Sequence, residues 1–97
     1  MSEPTTRKAL ATTERALSEI DQELERHAAG RGQVSTPGQL TSLRRQLAQM
    51  AAQLSTPQLP PKDQRLRGIG RVVADSWPYD NPLGGTILEA ERRYLKA

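Results

Sequence analysis

Thr36-Pro37-Gly38-Gln39-Leu40-Thr41-Ser42-Leu43-Arg44-Arg45-Gln46-Leu47-Ala48-Gln49-Met50-Ala51-Ala52-Gln53-Leu54 is the stretch whose pattern decides the fold. Leu40, Leu43, Leu47, Met50 and Leu54 follow one another at spacings of 3, 4, 3 and 4. That is the repeat of one face of an α-helix. Thr36 stands where an N-cap hydroxyl belongs, and Pro37 suits the first helical turn. Gln39 occupies the reciprocal position of a capping box. Ser55-Thr56-Pro57 and Pro60-Pro61 end the helix, because proline lacks the N–H that the helical ladder needs.

Upstream, Leu10, Leu17, Ile20 and Leu24 recur at spacings of 7, 3 and 4. They predict an amphipathic helix over about Pro4 to Ala29. Ala9, Ala16 and Ala28 favour helix and allow close packing. Gly30 and Gly32 stop it. Downstream, Leu66, Ile69 and Val73, flanked by Val72, predict a third helix over Lys62 to Asp75. Gly68 and Gly70 each cost about 1 kcal/mol against Ala in a helix interior. They point to a close helix crossing, the alternative being a backbone surface approached by a partner. Ser76 to Pro82 is a proline-punctuated connector, in which Asp80 or Asn81 caps a last helix with Pro82 in its first turn. Leu83, Ile87, Ala90 and Tyr94 supply its core face, with Gly84 and Gly85 weakening its start. Val and Ile never alternate with polar residues, so no strand is expected. The fold class is all-α: a small antiparallel bundle of three long helices, or four with the last short. Residues 1–97 form a single domain, with fraying expected at residues 1–4.

Composition narrows the function classes. Eighteen of the 97 residues are Leu, Ile or Val and none is Phe, so the core is thin and a bound partner matters for stability. There is no Cys and a single His, His27, which excludes a disulfide framework, a thiolate zinc site and a cysteine nucleophile. No cofactor, no metal and no enzymatic activity are expected. No apolar run approaches a membrane span or a signal peptide, so cytoplasmic localisation is the expectation. His27 lies near the end of the first helix, where a protonated imidazole favours the helix terminus.

Charge is unevenly spread. Residues 31–75 hold seven bases (Arg31, Arg44, Arg45, Lys62, Arg65, Arg67, Arg71) against two acids, Asp63 and Asp75. Arg67 and Arg71 lie one turn apart and are expected to pair with first-helix acids such as Glu19, Glu23 or Glu25. Two of the three aromatics, Trp77 and Tyr79, share one loop flanked by Asp75 and Asp80. Trp and Tyr bury large area and keep a polar handle, which makes them interface anchors. Trp77 also serves to close the end of the bundle core. Asp75 and Asp80 sit at helix ends, where carboxylates cap and satisfy turns, so they do not form a catalytic pair.

Gln46-Leu47, Met50 and Leu54, then Leu66, Gly68-Ile69-Gly70 and Val73-Ala74, then Asp80-Asn81-Pro82-Leu83, Ile87, Ala90 and Tyr94 carry a resemblance. The pattern resembles the small all-helical immunity proteins of type VI secretion, of the type that neutralises NAD(P)-hydrolysing toxins. There a leucine-rich helix precedes a glycine-containing helix, and an acidic Asp-Pro turn leads into a final helix ending in Tyr. The resemblance covers about Leu40 to Tyr94. It implies a protein that binds a cognate toxin domain and occludes its active site. Affinity is then expected from Trp77, Tyr79, Asp75 and Asp80 as anchors, with Arg67 and Arg71 as charge complements. Two other functions compete. A helical adaptor or secretion chaperone would use the Leu40–Leu54 stripe to hold a partner helix. A basic nucleic-acid binder would use the second and third helices and bind in a salt-sensitive way.

Overall fold

The computed structural model describes residues 3–56 and 59–97. Of the fraying expected at residues 1–4, Met1 and Ser2 lie outside the described residues, as does the stop expected at Pro57, while Glu3 and Pro4 are already helical. Four α-helices follow in order: α1 (Glu3–Ala28), α2 (Pro37–Leu54), α3 (Ile69–Ser76) and α4 (Pro82–Lys96), with a 3-10 turn at Lys62–Gln64. The all-α bundle holds. α1 is the central strut, packed by both α2 and α4, while α3 packs on α4. At 1.5 Å per residue its 26 residues span about 39 Å, which accounts for most of the 44 Å long axis. A short loop returns the chain antiparallel along α1 as α2. α4 runs parallel to α2, since its start faces the second half of α1 and its Tyr94 bonds Gln53 near the end of α2.

α2 behaves as its pattern requires. Leu40, Leu43, Leu47, Met50 and Leu54 are all buried, each contributing about 1.5–3 kcal/mol before chain entropy. Thr36 caps the helix, accepting from the Gln39 N–H at 3.2 Å, with Pro37 at the first position. α4 matches its expected face too: Leu83, Ile87, Ala90 and Tyr94 are buried. Its start is regular, because Asn81 accepts from the Gly84 N–H at 3.0 Å and Pro82 follows.

α1 departs from its expected stripe. Ile20 is fully buried, but Leu10, Leu17 and Leu24 are only half-buried at the margins of the core. The buried line is Ala9, Thr13, Ala16, Ile20 and Glu23. Where two helices approach the same face, small residues occupy its centre, and Leu10, Leu17 and Leu24 line one flank of it. Thr13 is satisfied within the helix by the Ala9 carbonyl at 2.8 Å. α1 ends in a Schellman pattern, with Gly30 N–H donating to His27 O and Arg31 N–H to Arg26 O.

The third helix is shorter than expected. Only Ile69–Ser76 is α-helical; Lys62–Gln64 is a 3-10 turn and the chain then runs open to Gly68. Gly68 has φ +106, a left-handed conformation that places it before the helix and not inside it. The Leu66 N–H donates to the Tyr94 hydroxyl at 3.1 Å, so it is spent on α4 and not on a helical ladder. Arg65 donates to the Tyr94 and Leu95 carbonyls at 3.0 and 3.3 Å, capping the end of α4. Gly70 does mark a close crossing: a Cβ there would lie 3.1 Å from Leu88 Cδ2 and overlap the Glu91 carboxylate.

Candidate interaction surface

With Gly68 as its N-cap residue, α3 starts without a capping side chain of its own. α4 supplies the missing group. The Glu91 carboxylate accepts from the Gly68 N–H at 3.1 Å and from the Gly70 N–H at 3.3 Å. A carboxylate at this terminus meets both orphan donors and the positive end of the helix dipole. At 100° per residue, Ile69, Gly70 and Val73 then face inward and Arg71 and Asp75 outward. Val72 lies at one margin, 37% exposed, and Leu88 of α4 is 40% exposed beside the opposite margin.

The chain leaves α3 through Trp77, which is only 6% exposed. Its indole N–H donates to Gln39 Oε1 at 2.9 Å. The same Gln39 oxygen accepts from the Ser35 hydroxyl. Gln39 therefore does not close a capping box on Thr36; it is drawn to a buried indole that needs an acceptor. Trp77 closes the core and braces the loop from beneath. Beyond it the Asn81 N–H donates to the Pro78 carbonyl at 3.1 Å. That bond closes a β-turn with Tyr79 and Asp80 at its two central positions. Buried Trp77 fixes one end of the turn and the capping Asn81 the other.

Tyr79 is 99% exposed at the turn. Asp75 and Asp80 are exposed as well, and among the described residues neither accepts a hydrogen bond or pairs with a cation. The expected capping by these carboxylates is not what is seen; Asn81 caps α4 in their place. Arg67 and Arg71 do not pair with α1 either. Arg67 donates to the Lys62 carbonyl at 3.1 Å, and Arg71 is exposed with no ion pair among the described residues. α3 sits on α4, while two of the three acids expected to pair are engaged within α1: Glu19 by Arg15 at 2.9 Å and Glu23 by Arg26 at 2.7 Å. The link between α1 and α2 is instead Asp21 with Arg44, at 2.6 Å. The Arg44 hydrogen bond holds the Asp21 carboxyl below its usual value against some desolvation.

Five of the six expected partner-binding residues thus lie exposed on α3 or its two flanking segments, and Trp77 supports them from inside. Val72, Tyr79 and Leu88 are the exposed large apolar side chains among the described residues, and all lie on α3, its exit turn or the neighbouring side of α4. Leu88 and Glu91 were not anticipated, and Gln39 was expected in a capping box and not against the Trp77 indole. Each acts through a neighbour distant in sequence, so no local pattern announces it.

The opposite end of the charge map is closed. Glu23 is 1% exposed, and its carboxylate accepts from the Gln33 and Val34 N–H groups at 2.6 and 2.9 Å. Burial raises its pKa, and the Val34, Arg26 and Gln33 donors together outweigh that and hold it below the usual value. His27 Nε2 lies 2.9 Å from the Val34 carbonyl and so carries the proton there. A cleft of about 240 Å³ beside this cluster is bordered by Arg15, Glu19, Glu23 and Arg26, whose charges pair with each other. Among the described residues no group of His, Cys, Asp and Glu is placed to hold a metal ion, and no helix is long and apolar enough to cross a membrane. Comparison with known protein families, with curated proteins and with solved structures finds no match to this chain.

Proposed function

We propose that this chain is an immunity protein, which binds a cognate secreted antibacterial toxin domain and occludes its active site. In its finer form the toxin is one that degrades NAD(P), and the protection is exerted in the cytoplasm. The observation that carries this is the gathering of the exposed large apolar side chains on α3 and its surroundings, with Tyr79 outermost. A chain this poor in aromatics that leaves one fully in water invests it in recognition. The adaptor alternative has less support, since the Leu40–Leu54 stripe it needs is buried inside the bundle.

The test is co-expression with the product of the adjacent upstream gene. Immunity function predicts that the neighbour alone arrests growth, that this chain restores it, and that a one-to-one complex survives high salt. Harmless expression of the neighbour together with salt-sensitive retention of generic DNA or RNA would move the function to nucleic-acid binding.

A further inference from the structure

We propose that the Pro78–Asn81 turn is the element that enters the partner, and that the partner meets it with a concave cationic cleft. That cleft accommodates the Tyr79 ring and offers Asp80 a Lys or Arg side chain. This rests on the immunity function proposed above and specifies the chemistry of its interface.

Three observations lead there. The turn is preorganised: buried Trp77 with its Gln39 bond holds one end, and the Asn81 cap the other. A prepaid conformation loses little entropy on binding, which is where much affinity is otherwise spent. The tip is convex and bears the most exposed aromatic of the chain, so its partner surface is a pocket. The turn itself carries charge opposite to that of the whole chain, while the exposed Arg71 lies one helical turn before Asp75 on α3. The chain is +3, yet no Lys or Arg occurs between Arg71 and Arg92. The acids in that interval are Asp75, Asp80, Glu89 and Glu91. Glu89 is neutralised by Arg92 and Arg93, and Glu91 is held by the backbone of α3. Asp75 and Asp80 are left without a partner among the described residues, on the two sides of Tyr79. An exposed carboxylate beside an aromatic anchor selects a cation when the two are desolvated together, and repels an acidic surface.

The experiment measures binding of purified variants to the purified product of the adjacent upstream gene by calorimetry at low and high salt. Tyr79→Ala is expected to weaken binding about a hundredfold. Asp80→Asn weakens it about tenfold and lowers the salt dependence, and Asp80→Lys weakens it further. Arg45→Ala, on the exposed side of α2, binds as the parent does. Because the Tyr79 and Asp80 side chains are exposed, all three variants keep the parent's melting temperature, which circular dichroism checks. If Tyr79→Ala and Asp80→Asn bind and protect like the parent, the turn is not the inserted element, while immunity function stands. If Asp80→Lys binds more tightly, the cleft is not cationic and the proposal is overturned. If the neighbouring product neither binds nor harms cells, the immunity function falls and takes this proposal with it.

Discussion

α2 turns Leu40, Leu43, Leu47, Met50 and Leu54 inward along its whole length, whereas α3 buries Ile69, Gly70 and Val73 and turns Arg71 and Asp75 to water. The bundle of α1, α2 and α4 is held by continuous apolar contact. The α3 corner is also pinned at a few polar points: Glu91 on its N-terminal amides, Gln39 on Trp77, and Arg65 on the end of α4. Point attachments position an element without consuming its outer face. The molecule thus separates the region that keeps it folded from the region that is free to meet another protein.

Substitutions break or sharpen that contrast. The largest effect is expected inside the bundle: Leu47→Ala empties a fully buried site and costs about 2–5 kcal/mol, read as a fall in the urea midpoint. Glu23→Gln is next, at about 2 kcal/mol, because it weakens a charged acceptor serving two loop amides and Arg26. It also carries a pH signature. The Glu23 pKa is lowered on folding, so its contribution is complete above the ordinary value of 4.5 and is lost as the pH falls through the lower folded value. Acid titration of stability therefore declines below pH 4.5 in the parent and is flatter in Glu23→Gln. Asp21 acts in the same direction through Arg44. The smallest effect belongs to the corner. Glu91→Ala removes the acceptor from Gly68 and Gly70 and is expected to cost about 1 kcal/mol. Hydrogen exchange then quickens across Val72 to Trp77 while the amides of α2 keep their protection. Equal loss of protection in both regions would show that α3 and the bundle open as one unit.

Much of the bundle was legible in order of residues. Where a helix packs chiefly on one neighbour, as α2 does on α1, a single stripe reports its buried side. α1 meets two helices, and Leu10, Leu17 and Leu24 proved to be one flank of a line of Ala9, Thr13, Ala16, Ile20 and Glu23. The candidate surface was legible in part. Trp77, Tyr79 and Asp80 stood out as aromatics and acids in one loop, with Trp77 expected to close the core, but its acceptor Gln39, 38 residues away, gave no local sign. Leu88 gave no sign, because the element beside it is Gly70 of α3, far away in sequence. The expected pairing of Arg67 and Arg71 with α1 failed for a similar reason: charge counts do not say which helices touch.

The sequence by itself determined that the chain is helical, where α2 and α4 begin, and which of their residues are buried. Those properties follow from local periodicity, capping and proline, which act over a few residues. Only the tertiary structure decided that Gly68 ends an open segment and not the middle of a helix, that a buried carboxylate on α1 clamps the following loop, and that Gln39 is what binds the buried Trp77 indole. Each depends on a donor or acceptor brought from a distant element, and a hydrogen bond across the fold leaves no period in the sequence.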